Sequence, residues 1–261
     1  MIRYSANITI MIRAARKASK YIVRDFLELE QLQVSVKGQN DFVTNVDIKV
    51  QEIIHSELNK ARTDYGFIME EGQSEKLDAE NIWIIDPIDG TLNFMHGLPY
   101  FAISIGLRIK QKMAAGIVYN PILNELYWAE EGSGAFLNDK RLRVSGRKNL
   151  ENSVIALGIP FLGRGNHKKH LKMQSNVMNK VAGLRRFGAA SLDLCQVASG
   201  RVDGFWEEGL SIWDIAAGTI IVKEAGGIIS GIDKNENPLD TGNIIAGNPN
   251  VVFALQKVLA S

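Results

Sequence analysis

The chain runs to 261 residues, with 30 Lys+Arg against 29 Asp+Glu and a formal net charge of +1 at pH 7. That balance argues against a nucleic-acid binder working through bulk positive charge, and 46% hydrophobic against 23% charged residues excludes a disordered tail. Cys195 is the single cysteine, so no intrachain disulfide, cysteine-based zinc site or iron–sulfur cluster can form, and a reducing cytoplasm is the expected compartment.

Met1 to Ser5 open onto apolar positions interrupted by Arg13, Arg16 and Lys17, with no small-residue cleavage site after an unbroken apolar run, so no leader is expected. Ile8, Met11, Ile12, Ala15, Ala18, Ile22, Phe26 and Leu29 recur every three or four residues and predict an amphipathic helix. Val46, Val50, Ile53, Ile54 and Leu58 predict a second, with Thr44 or Asn45 capping it. Short apolar segments follow at Gly66 to Ile68, Ile82 to Ile85, Phe101 to Leu107, Ala114 to Tyr119 and Leu126 to Trp128. Pro87, Gly90, Gly97, Pro99, Gly116, Pro121 and Gly132 punctuate them, as in a multi-stranded sheet.

Beyond Ser145 the pattern changes. Strand-like pieces (Val154 to Leu157, Val202 to Trp206, Gly227 to Ser230, Ile244 to Ala246) alternate with helical ones (His167 to Val181, Ala189 to Ala198, Trp213 to Glu224, Pro249 to Leu259). We therefore expect an α+β half over 1–145 and an α/β half over 146–261. Ser145 to Asn149 is too short for a flexible linker, so the halves should form one compact unit. No apolar run approaches the ~20 residues of a membrane-spanning helix, and a soluble chain is expected.

The chemistry concentrates in Trp83 to Phe94, where an apolar strand should end at Asp86, Pro87 should force a turn, Asp89 follows, and Gly90-Thr91 can open a helix. Paired carboxylates on a tight turn are costly without a cation, and oxygen donors select a hard ion such as Mg²⁺. Free N–H groups at a helix start suit phosphate, and a metal beside an anion cradle suits phosphoryl-ester hydrolysis. Taken alone, Asp-Pro and Asp-Gly are common turn formers. Further acids add weight: Glu70-Glu71 after Gly66 to Met69, Asp47 at a helix start, and Asp214 after Trp213, where an N-cap is the ordinary role.

Asp86-Pro87-Ile88-Asp89-Gly90-Thr91-Leu92-Asn93-Phe94 resembles the first signature of the inositol monophosphatase family. Trp213-Asp214-Ile215-Ala216-Ala217-Gly218 with Glu224-Ala225-Gly226-Gly227 resembles the second. Family-like blocks also occur at Asn40 to Asp47, Glu70-Glu71, Gly134 to Asn138, Gly188 to Leu194 and Gly200 to Phe205, so the resemblance spans essentially the whole chain and is nearest the bacterial extragenic-suppressor type. It implies a layered α-β-α-β-α sandwich of the inositol monophosphatase/fructose-1,6-bisphosphatase type, and a cytoplasmic, Li⁺-sensitive homodimer using two to three Mg²⁺ per site.

By the same resemblance, Glu70, Asp86 and the Ile88 carbonyl hold one metal, and Asp86, Asp89 and Asp214 hold the second. Glu70 and water support a third. Thr91 and Asp47 act on a metal-activated water. Gly90 and Thr91 present N–H groups to phosphate, and Asp89, Gly188, Ala190 and Glu207 contact substrate, with Glu208 an alternative to Glu207. Leu92 stands where a second Thr is usual and Met69 where Gly is frequent; neither removes a ligand.

His167 and His170 are expected on a solvated basic face and Cys195 in the core. Arg185-Arg186 are expected either at a phosphate or at a dimer interface. The implied substrate is a small phosphorylated polyol, first of all myo-inositol 1-phosphate. Fructose 1,6-bisphosphate, histidinol phosphate or 3′-phosphoadenosine phosphate are alternatives within the same chemistry. A regulatory protein binding transcription machinery or RNA is the alternative of another class, unsupported by charge.

Overall fold

The computed structural model describes residues 4–27, 34–37, 41–160, 163 and 165–260, with 34–37 and 41–44 described by backbone alone. Met1 to Arg3, Leu29, Asn40 and the side chains of Asp41 and Thr44 lie outside the described residues. Helix α1 (Ala6–Leu27) is followed by the hairpin β1 (Val34–Lys37) and β2 (Asp41–Thr44), then α2 (Asn45–Ala61). Seven strands come next: β3 (Gly66–Met69), β4 (Asn81–Asp89), β5 (Ala102–Ile109), β6 (Lys112–Asn120), β7 (Glu125–Glu130), β8 (Gly134–Leu137) and β9 (Lys140–Arg141), with the short α3 (Thr91–Met95) after β4. They form one sheet in chain order, parallel between β3 and β4 and antiparallel elsewhere.

The rest of the chain gives β10 (Val154–Leu157), α4 (His167–Met178), β11 (Gly183–Arg185), α5 (Ala190–Ala198), β12 (Gly204–Glu207), α6 (Ile212–Glu224), β13 (Ile228–Ser230), α7 (Pro238–Thr241), β14 (Ile244–Gly247) and α8 (Pro249–Leu259). Its strands make a second, mixed sheet in the order β11-β10-β12-β14-β13.

Side-chain alternation along the strands sets the layering. In β4, Trp83 and Ile85 face α1 and α2, whose Ile8, Met11, Ile12, Ile22, Val50 and Ile54 are buried against them. Each such side chain removed from water contributes roughly 1.5–3 kcal/mol. Ile82 and Ile84 face the opposite way, onto α5 and α6. Those two helices also cover the second sheet through Ala156, Phe205, Ile244 and Ala246, so α6 is apolar all round, as a helix between two sheets must be. The outer face of the second sheet, Ile155, Trp206 and Ile245, is closed by α4 and α8. The result is the expected α-β-α-β-α stack, with α5 and α6 as its central layer. Among the described residues no helix is long and apolar enough to cross a membrane.

Two expectations are corrected. The strand does not stop at Asp86: β4 continues through Asp89, because Pro87 falls within a bulge, where its missing donor is tolerated. His170 is not on a solvated face. It is buried with its ring stacked on Trp206, centroids 4.9 Å apart, because it lies on the same face of α4 as Met173 and Val177; His167 is exposed.

Candidate active site

In a regular strand, residues three apart point to opposite faces. Asp86 pairs with Ser104 of β5 and Asp89 with Ala102, so β4 advances three residues while β5 advances two. The bulge restores parity and turns both aspartates to the face covered by the central helices. Both are buried.

Three further elements converge there. Glu70 follows β3, which runs parallel to β4, and its N–H donates to the Ile85 carbonyl at 3.2 Å, setting its carboxyl beside that of Asp86. Helix α6 is tied to β5 by the Ser104 hydroxyl donating to the Trp213 carbonyl at 3.3 Å. This anchors Asp214, which occupies the third helical position rather than the N-cap that is the ordinary role of such an aspartate. Ser211 is the cap, and its N–H donates to Asp214 Oδ2 at 2.7 Å. The start of α5 holds Asp89: the Ser191 N–H donates to Asp89 Oδ2 at 2.7 Å, the Ser191 hydroxyl donates to the same oxygen, and the Ala190 N–H adds a third bond.

Carboxylate oxygens of Asp86, Asp89 and Asp214 lie within 4.8 Å of one another. Asp86 Oδ1 is buried and accepts no hydrogen bond. Burial and mutual repulsion raise the pKa of Glu70 and lift that of Asp86 well above the ordinary carboxylate value. Asp89 is pushed up less, to about 6, because Ser191 and Ala190 stabilise its charged form. An all-oxygen donor set with an orphaned carboxylate oxygen and strained ionisation fits a hard divalent cation.

Asp47 is buried in the first turn of α2, close enough to Glu70 to raise its pKa. The Thr91 hydroxyl donates to the Ile88 carbonyl at 2.9 Å, so its proton is directed at the carbonyl assigned to the metal rather than at Asp47. Leu92 is exposed, and the Met69 side chain is buried on the α1–α2 side, so neither departure intrudes on the carboxylates.

The second sheet supplies the other wall. Glu207 and Glu208 are resolved by their partners: Glu208 pairs with Lys169 on the outside. The carboxyl of Glu207 lies over Gly158, where any Cβ would overlap it, and burial near Asp193, Asp214 and Asp89 raises its pKa well above normal. Gly188 adjoins the start of α5, and Ala190 acts through its N–H on Asp89.

Sequence reasoning missed Ser191, Asp193 and Tyr100 as participants and left Arg186 ambiguous. Tyr100 donates its hydroxyl to Asp193 Oδ1 at 2.8 Å, and burial pushes Asp193 up to about 8. Ser191 is 102 positions from its partner Asp89, and only its place at a helix start after Gly188-Ala189-Ala190 could have marked it. Cys195 is buried, as expected.

Comparison with known proteins agrees with this geometry. Residues 4–260 match the inositol monophosphatase family. An inositol-1-monophosphatase from Mesorhizobium japonicum is 51% identical over 256 residues, 98% of this chain and 96% of that protein. The Nus factor SuhB of Escherichia coli is 44% identical over 249 residues, 95% and 93% of the two chains. The crystal structure of the extragenic suppressor protein suhB from Bartonella henselae superposes with a TM-score of 0.94 at 49% identity, covering 98% of each chain. An IMPase from Thermotoga maritima gives 0.89 at 35% identity, covering 98% and 97%. With the signature segments, the layered fold and the carboxylate cluster all in place, the chain belongs to the inositol monophosphatase family and is a phosphatase of that family.

Proposed function

We propose that this chain hydrolyses a small phosphomonoester with Mg²⁺ as its cofactor, and that myo-inositol 1-phosphate is its preferred substrate. The observation carrying this reading is the convergence of Asp86, Asp89 and Asp214 oxygens within 4.8 Å beside Glu70. Two to three divalent ions held by Glu70, Asp86, the Ile88 carbonyl, Asp89 and Asp214 would supply Lewis-acid stabilisation of phosphate oxygens and lower the pKa of water. The chain's own residues do the rest. Asp89 keeps one oxygen on the α5 start and offers the other to the cluster. Gly90 and Thr91 present backbone N–H groups to phosphate. The Asp47 carboxylate takes the proton of the attacking water, while the Thr91 hydroxyl, its own proton held by the Ile88 carbonyl, accepts a hydrogen bond from that water and orients it. Gly188, Ala190 and Glu207 face the leaving group, where Glu207 accepts hydrogen bonds from its hydroxyls. The same reading carries a cytoplasmic homodimer inhibited by Li⁺.

Names of relatives at about half identity support the phosphatase and the inositol phosphate. A panel of myo-inositol 1-phosphate, fructose 1,6-bisphosphate, histidinol phosphate and 3′-phosphoadenosine phosphate, assayed for phosphate release with Mg²⁺, with and without Li⁺, tests it. Release from none of them would overturn the reading; preference for another ester would reassign the substrate. A second role, binding transcription machinery, is favoured by the relative named Nus factor SuhB. Asp86→Asn separates the two, since a cellular phenotype that survives loss of phosphatase activity belongs to binding.

A further inference from the structure

Arg186, just past β11, is an exposed cation close to the carboxylate cluster. The Arg186 guanidinium folds back over Gly188, so that a Cβ on Gly188 would fall inside the envelope of Arg186 Nη1. From there its charge reaches Asp89, Asp193 and Glu207 together. Arg186 closes no direct ion pair among the described residues, so its donors are not consumed by these carboxylates.

Its segment is fixed from both sides. The Asn93 amide donates to the Phe187 carbonyl at 2.9 Å and to the Tyr100 carbonyl at 2.8 Å. The Tyr100 and Phe187 rings stack at 5.1 Å, and the Tyr100 hydroxyl holds Asp193. Gly188 has φ +97, a left-handed conformation that L side chains rarely adopt, which lets the chain turn under the guanidinium on its way to α5.

We propose that Arg186 is a specificity-determining residue that selects, together with Glu207, phosphomonoesters whose leaving group carries several neighbouring hydroxyls. This rests on the phosphatase reading above and goes further by naming the donor half of the recognition. A hydroxyl both donates and accepts. The Glu207 carboxyl offers acceptor oxygens and Arg186 only donors, so the pair satisfies adjacent hydroxyls in both senses. A leaving group without hydroxyls leaves the two polar groups without those bonds, a discrimination of the kind polar sites make most strongly. The Asn93 bond to the Phe187 carbonyl fixes the backbone that carries Arg186, which reduces the ordering cost of binding.

The test compares kcat/KM for myo-inositol 1-phosphate with that for p-nitrophenyl phosphate, whose leaving group has no hydroxyl substituents, using the full chain with Mg²⁺. In Arg186→Gln the ratio of the two should fall about tenfold or more, the scale of one charge-assisted hydrogen bond, mainly through KM for the polyol ester. Arg186→Lys, which keeps the charge without the fork, should recover part of it. Gly188→Ala keeps the arginine but displaces it, and should lower the ratio in the same direction. Phosphate release by the unsubstituted chain is read first: its absence defeats the phosphatase reading itself. With release intact, an unchanged ratio in Arg186→Gln overturns the role of Arg186. So does a ratio that falls only alongside a change in oligomeric mass by sedimentation, which makes Arg186 an interface residue.

Discussion

Asp86 holds a buried carboxylate oxygen without a hydrogen bond in a cluster that resists ionisation. Asp86→Asn keeps the size of the side chain and removes the charge. Phosphate release should drop to background, while the metal-free protein should melt at a higher temperature, because repulsion with Glu70, Asp89 and Asp214 is relieved. Scanning fluorimetry in a chelator checks the second outcome; a lower melting temperature would mean that Asp86 serves packing rather than ion binding. Thr91 is tested more narrowly. Thr91→Ala should lower kcat on the order of 10²–10⁴-fold with KM little changed, and Thr91→Ser, which keeps the hydroxyl, should retain most of it. Equal losses in both variants would assign Thr91 a structural role through its bond to the Ile88 carbonyl.

At the scale of elements, the site depends on helices of the central layer meeting a bulged strand. The α5 start fixes Asp89 through Ser191. Ser191→Ala removes the hydroxyl bond and keeps the N–H bond, so Asp89 should lose one fixed donor worth roughly 1.5–3 kcal/mol. The Mg²⁺ concentration for half-maximal activity should then rise several-fold, read from metal titrations of the rate; an unchanged titration would show that the backbone bonds suffice.

These elements differed in how plainly they could be read. The three-to-four spacing of Ile8 to Ile22 marked α1 because a helix half in water must show its period. Val154 to Leu157 and Pro249 to Leu259 matched β10 and α8 in bounds, since flanking turns and a proline at the helix start are local signals. The bulge was not legible, because Asp-Pro reads as a turn until β5 is known to continue past it. Asp214 likewise looked like a cap until Ser211 was seen in that place. The ligand set itself came from the signature segments, whereas Ser191, Asp193 and Arg186 enter the site through contacts far apart in sequence, for which no local pattern exists.

Across the whole molecule, a net charge of +1 conceals a strong asymmetry. Glu70, Asp86, Asp89, Asp193 and Glu207 gather at the seam between the two sheets, and each has its pKa raised by burial. For Glu70 the rise is from 4.5 to about 8, and for Asp89 from 3.8 to about 6. These groups therefore hold protons more tightly folded than unfolded. Between about pH 4 and 8 the folded chain binds more protons than the unfolded one, so the stability of the metal-free protein is greatest at the acid end of that window and declines as the pH rises through it. A bound divalent cation favours the ionised carboxylates and opposes the decline. Melting curves at pH 5 and pH 8, in chelator and in Mg²⁺, should show the lowest midpoint in chelator at pH 8 and the largest Mg²⁺-induced rise at the same pH. Mg²⁺ at a hundred times its dissociation constant contributes about 2.7 kcal/mol, which for a chain of this length raises the midpoint by about 5–10 °C. A rise of equal size at both pH values would place the ion away from these carboxyls, and no rise at either would show that the cluster binds no Mg²⁺.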